Sequence, residues 1–163
     1  MIILGIDPGF SFTGFGILKK EGHKSYLLDC GYLKMSSTKT LSQRIGIFHA
    51  FFTEKIIKYH VTTLAIETPF LGKNAQNFLK LGYLRGIIYL LADTHQLPLH
   101  EFAPREIKLS VTGFGGADKE QVARIILRLF PTLVAPDKAD VTDALAVTLC
   151  CLWKNNNALL KSV

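Results

Sequence analysis

The stretch Ile2-Ile3-Leu4-Gly5-Ile6-Asp7-Pro8-Gly9, continued after three residues by Thr13-Gly14-Phe15-Gly16-Ile17-Leu18, decides how the rest of the chain is read. The first run is rich in β-branched and apolar residues and closes on a Pro-Gly turn, so Ile2–Asp7 and Thr13–Leu18 are predicted as two strands. Ser25–Met35 alternates in the same manner and adds a third, giving an antiparallel meander. Asp7 stands where the first apolar run ends, at the mouth of the turn.

Downstream the period changes. Leu41, Ile45, Phe48, Phe52 and Ile56 recur at helical spacing, predicting a helix over Leu41–His60, and Thr63–Glu67 is a short apolar strand. A second long helix is predicted from about Asn74 to His95, a strand over Pro98–Ala103 and a short helix over Arg105–Val111. A glycine-rich loop, Thr112–Ala117, then leads to helices over Asp118–Phe130 and Lys138–Trp153. Strands first in a meander and then alternating with helices imply an α/β fold in which helices cover a mixed five-stranded sheet, the order of the ribonuclease H-like fold. No repeat or linker divides the series, and 163 residues suit a single domain, 1–163. That architecture hosts nucleases, kinases and chaperone ATPases alike, so function has to be read from the site.

Hydrophobic residues make up 48% of the chain and charged residues 20%, a balance that excludes disorder as the default. The net charge of +6 favours a polyanionic partner without naming one. Cys30, Cys150 and Cys151 are odd in number and form no CxxC pair, which argues against a zinc cage or a disulfide framework. They read as reduced, buried cytosolic thiols. The apolar run Gly86–Ala92 is far too short to span a bilayer, so a soluble, cytoplasmic protein with no membrane partner is expected. Lys161-Ser162-Val163 closes the sequence without a basic tail, leaving any nucleic-acid binding to the folded domain.

Four acids stand where chemistry can use them. Asp7 and Glu67 each end an apolar strand and can reach the same sheet edge, although a lone acid after a buried strand as often just opens a turn. Asp140 and Asp143 are three apart at the start of the last helix, which puts them on one face about 5–6 Å from each other. A helix N-terminus favours carboxylates, and capping by Asp137 or Asp140 is the plain alternative; capping needs one acid, and Asp137 is read as the cap. Phosphodiester hydrolysis by the two-metal route requires several carboxylates converging on Mg2+ ions, which Asp7, Glu67, Asp140 and Asp143 can supply. The five histidines show no HExxH or comparable zinc spacing.

With these residues in view the chain resembles the RuvC type of Holliday-junction resolvases. The resemblance runs from Ile3-Leu4-Gly5-Ile6-Asp7-Pro8-Gly9 and Thr13-Gly14-Phe15-Gly16 through Ala65-Ile66-Glu67 and Gly72-Lys73-Asn74-Ala75-Gln76. It continues through Leu79-Lys80-Leu81-Gly82, Arg85-Gly86 and Ala117-Asp118-Lys119-Glu120-Gln121-Val122 to Asp140-Val141-Thr142-Asp143, roughly Ile2 to Leu149. It implies that Asp7, Glu67, Asp140 and Asp143 are metal-binding catalytic acids holding two Mg2+ ions per active site, with Mn2+ as the natural substitute. It further implies that Lys119 and Lys108 stand near the scissile phosphate, that Phe70 packs against unstacked bases, and that Lys73 and Asn74 lie beside the same DNA. The substrate implied is four-way junction DNA, nicked symmetrically by a homodimer acting with a branch-migration helicase.

Phe10-Ser11 departs from the Ser-Arg common after Pro-Gly in that family, removing a basic group beside Asp7. Gly82 and Gly86 are read as sites of internal helix packing, and Arg44, Arg124 and Arg128 as solvated or phosphate-steering cations. Two rivals compete. Asp7-Pro8-Gly9 with Thr13 and Gly14 also resembles the phosphate loop of actin-like kinases, but those build their cleft between two such domains. A junction-binding protein that no longer cuts is the other, against which all four acids count.

Overall fold

In a computed structural model of the chain, which describes residues 1–22, 24–69 and 75–160, the predicted elements follow in the predicted order. They are β1 (Ile2–Asp7), β2 (Phe12–Glu21), β3 (Lys24–Lys34), α1 (Leu41–Tyr59), β4 (Thr63–Glu67), α2 (Ala75–Thr94), β5 (Leu99–Phe102), α3 (Pro104–Thr112), α4 (Lys119–Leu129) and α5 (Ala139–Leu160). The sheet order is β3-β2-β1-β4-β5, antiparallel across the β1–β3 meander and parallel from β1 through β4 to β5. The first two hairpin partners run longer than their apolar cores suggest, because cross-strand pairing carries β2 out to Glu21 and β3 back to Lys24.

Strand alternation divides the interior in two. Leu4, Ile6, Phe15, Ile17, Leu64 and Ile66 face α1 and α2, where Phe48, Phe52, Leu84 and Ile88 bury against them. The opposite face carries Ile3 and Ala65 and is covered by α3, α4 and α5 through Ile107, Val122, Ile126 and Leu145. Because side chains alternate with period two, Asp7 and Glu67 fall on this second face, under α5. Phe52 meets Phe48, Phe51 and Phe15 in tilted or edge contacts with centroids 4.7–6.5 Å apart, and its truncation to Ala would cost about 3–5 kcal/mol.

The seating of α5 depends on glycine. A Cβ at Gly14 would lie 1.9 Å from the Asp140 carbonyl oxygen, and one at Gly5 would lie 2.0 Å from the Thr148 hydroxyl. With no side chain at either position the helix rests directly on β1 and β2, and the buried Thr148 hydroxyl donates to the carbonyls of Ala144 and Gly16. Gly14 pairs with Asp7 across the hairpin, so the first turn of α5 is delivered beside Asp7.

Helix α2 is apolar on two faces. Leu84, Ile88, Leu91 and Ala92 are buried against the sheet, while Leu79, Tyr83, Tyr89 and Leu90 are exposed. Gly82 and Gly86 lie on the exposed face with open space around them, so they do not serve the internal packing expected of them. Cys150 and Cys151 are buried as expected, whereas Cys30 is only half-buried. Among the described residues no helix is long and apolar enough to cross a membrane.

Candidate active site

Asp7 and Glu67 occupy the last positions of β1 and β4, neighbouring parallel strands. The loop after Asp7 is tied by Thr13, fully buried, whose hydroxyl donates to the Gly9 carbonyl at 2.7 Å and accepts from the Gly9 N–H at 3.2 Å. This clasp holds the chain in a turn immediately beyond the first acid. On the other side of the cleft, Asp140 and Asp143 project from the first turns of α5, held there by the close approach at Gly14.

The acids are partly buried and stand near enough to feel one another's charge. The Asp7 carboxyl is pushed up to about 8, first by burial and then by the negative charges of Asp143, Glu67 and Asp140, against the opposing pull of Lys119. Glu67 is also raised, by burial and by Asp143, with Lys119 and Lys108 acting in the opposite sense. Lys119 is the internal counter-cation: its Nζ donates to Asp143 Oδ2 at 2.7 Å, and that bond raises its own pKa. It reaches the site from the first residue of α4 because Asp118 caps that helix, accepting from the Gln121 N–H at 2.7 Å while the Gln121 side chain accepts from the Asp118 N–H. Lys108 comes from α3 and lines the same cavity of ≈70 Å3 with Glu67, Lys119 and Asp143. A second cavity of ≈190 Å3, lined by Asp7, Pro8, Glu67 and Arg85 among others, adjoins it through Glu67.

Arg85 was not singled out by its spacing, yet it braces this corner. Buried on α2, it donates to the Glu67 carbonyl at 2.6 Å and to the Tyr89 hydroxyl, and it pairs with Glu101 on β5. The end of β4, and with it Glu67, is thereby anchored to both neighbours. Its sequence signals were the Arg85-Gly86 pair of the family pattern and a charge on the buried face of an apolar helix, neither of which names its partners.

Asp137 lies two residues before α5 and makes no cap bond; its carboxylate accepts a long 3.5 Å bond from the Tyr32 hydroxyl. The helix starts without the expected Asp137 cap because Ala139, not Lys138, is its first residue. Phe70, Lys73 and Asn74 lie outside the described residues.

The four carboxylates offer hard oxygen donors suited to a divalent cation, and the proton that Asp7 keeps near neutral pH marks a surplus of negative charge that such a cation would relieve. Among the described residues no three of the acids stand close enough to cage an ion as they are placed. Lys119 takes up part of the charge of Asp143 instead.

Fold and carboxylate cluster together define a nuclease of the ribonuclease H-like class. The family model of crossover junction endodeoxyribonuclease RuvC matches residues 3–151. A crossover junction endodeoxyribonuclease RuvC from Pelodictyon phaeoclathratiforme is 41% identical over 157 residues, 96% of this chain and 82% of the relative. The Thermus thermophilus RuvC structure superposes with a TM-score of 0.88 at 27% identity, covering 97% of both chains. The same protein in complex with Holliday junction substrate gives 0.85 at 28% identity over 92% of each chain. The chain belongs to the RuvC family, and with that membership goes dependence on a divalent metal ion.

Proposed function

We propose that the protein is a structure-selective endonuclease that resolves four-way DNA junctions by paired, symmetric nicks, with Asp7, Glu67, Asp140 and Asp143 as its metal-binding acids. The observation that carries this reading is the convergence of those acids from β1, β4 and α5 on one sheet face, where burial first, and then the charges of Asp143, Glu67 and Asp140, push the Asp7 carboxyl up to about 8. Two Mg2+ ions, or Mn2+ in their place, would supply water activation and neutralisation of the leaving oxygen. In their absence the Asp7 carboxyl holds a proton, and Lys119 holds Asp143. Lys119 and Lys108, bordering Glu67 and Asp143, supply positive charge to a phosphate entering the cleft.

The reading extends to a homodimer. The exposed stripe of α2, with Leu79, Tyr83, Tyr89 and Leu90 flanking Gly82 and Gly86, suits an antiparallel pairing with its own copy, and a two-fold enzyme meets equivalent strands of a two-fold junction. Phe70, Lys73 and Asn74 are proposed DNA contacts on the strength of the family pattern, as are a cytoplasmic location, a single domain over 1–163 and cooperation with a branch-migration helicase. The test is incision: purified protein with Mg2+ should nick a synthetic four-way junction and spare a linear duplex of the same arms. Binding to the junction with no incision in Mg2+ or Mn2+ would show a junction-binding protein instead.

A further inference from the structure

We propose that the cavity between the loop after β1, the first turn of α1 and the N-terminal half of α2 is a nucleotide subsite for the junction strand, an assignment that rests on the resolvase reading above. Arg44 and Lys80 take a backbone phosphate there, and the guanidinium plane of Arg44 takes the base.

The cavity has a volume of ≈470 Å3 and, among the described residues, is lined by Phe10, Leu41, Arg44, Leu79, Lys80 and Tyr83 with one glutamine and no carboxylate. That volume falls within the range of small-molecule pockets and accommodates one nucleotide. Arg44 is half-buried and has no ion-pair partner among the described residues. Its guanidinium lies over the Phe10 ring with its carbon 3.9 Å from the centroid, and one terminal nitrogen donates to the Phe10 carbonyl. Its Nε is buried and unpartnered among the described residues, while the residue as a whole is half-buried, so the group is pinned but not neutralised. Lys80, exposed on α2, has no ion-pair partner among the described residues. Two uncompensated cations beside an apolar wall suit a group with a phosphate at one end and a planar ring at the other, since bases stack on guanidinium and aromatic planes and phosphates pair with Arg and Lys.

Position argues the same way. Phe10 is three residues beyond Asp7, so its backbone lies within about 10 Å of the first catalytic acid, roughly three nucleotide steps along a stacked strand. The loop lacks a basic residue of its own at Phe10-Ser11, and the fold supplies one from α1, thirty-four residues later. Leu79 and Tyr83 also belong to the exposed stripe of α2, and an apolar wall alone would suit a second copy. The charge of the other wall favours the phosphate.

The test compares Arg44→Ala, Arg44→Lys and Lys80→Ala with the unaltered protein in metal-free binding to a four-way junction across a salt series, with sedimentation and thermal melting alongside. Lys80→Ala and Arg44→Ala should each weaken binding about tenfold and flatten the salt slope by about 0.7–0.9, the value of one phosphate contact. Arg44→Lys should keep the slope and lose affinity, because charge survives and the stacking plane does not. Unchanged affinity and slope in Lys80→Ala, which has no packing role, would overturn the subsite even if Arg44→Ala misfolds. Conversion of these variants to monomers would instead seat a second copy in the cavity. If the unaltered protein binds no junction, the resolvase reading fails and the subsite fails with it.

Discussion

Asp7 carries an electrostatic conflict set first by its burial and then by its acidic neighbours. Its carboxyl ionises near the ordinary 3.8 when unfolded and near about 8 when folded, so the folded state binds more protons between those values. Stability of the metal-free protein is therefore highest below about pH 4 as far as this group is concerned, and falls as pH rises through about 8. Asp7→Asn removes the conflict and, on the proposed reading, a metal ligand with it. The expected outcome is a metal-free melting temperature several degrees above wild type at pH 8.5, a gap that narrows steadily as pH falls toward 4, no further rise on adding Mg2+, and no junction cutting. Junction binding is expected to survive, since DNA contacts do not depend on this carboxylate. A wild-type melting temperature that ignores Mg2+ would count against a metal site here. Arg85 is the contrasting case, a cation whose work is positional. Arg85→Met leaves Glu101 unpaired and the Glu67 carbonyl unheld; allowing for the exposure of Glu101, about 2 kcal/mol is lost, and the cleavage rate should fall more than junction affinity, with partial rescue by Lys. Equal losses in both would make Arg85 merely structural. The acids were legible in the sequence because strand ends and an i,i+3 helical pair are local facts. Arg85 was not, because its partners lie 16 and 18 residues away and are chosen by the packing of α2 on β4 and β5.

Among the elements, α5 turns a sequence pattern into a site. The glycines at 5 and 14 could be seen in the sequence only as small residues inside strands, positions that often mark a close backbone approach. What approaches is a helix more than a hundred residues later, and no local pattern carries that information. Gly14→Ala would place a methyl group 1.9 Å from the Asp140 carbonyl, so α5 or β2 must shift. Overpacking of this kind typically costs about 1–3 kcal/mol, and because Asp140 itself is what moves, incision should drop by a larger factor than the stability loss explains. Chemical denaturation and single-turnover cutting on the same preparation separate the two; cutting that survives at wild-type rate would mean that α5 does not set the geometry of the acids. Helix α2 illustrates a different limit. Its residues were legible as a helix, but with apolar residues on both sides the periodicity does not say which face is inside, and Gly82 and Gly86 were accordingly assigned to internal packing when they face outward.

For the whole molecule, those outward glycines bear on how many active sites act together. An apolar stripe running from Leu79 through Tyr83 and Gly86 to Leu90 is more than a solvated helix needs, and two such helices can approach closely where glycine stands at the crossing. A two-fold axis through Gly86 would make the interface self-complementary and leave two carboxylate clusters related by the same axis. Gly86→Glu places like charges at the axis, where each copy faces its own image, while leaving open space around it in the isolated chain. The variant should therefore fold with an unchanged melting transition at low concentration, sediment as a monomer where the wild type sediments as a dimer, and lose paired incision. On a junction tethered in a supercoiled plasmid, wild type should release linear product in one binding event. Gly86→Glu should accumulate singly nicked circles, because each cluster then reaches its strand independently. Linear product at the wild-type ratio from a monomeric Gly86→Glu would break the link between dimer and paired cutting, and a monomeric wild type would remove the stripe on α2 from the mechanism altogether.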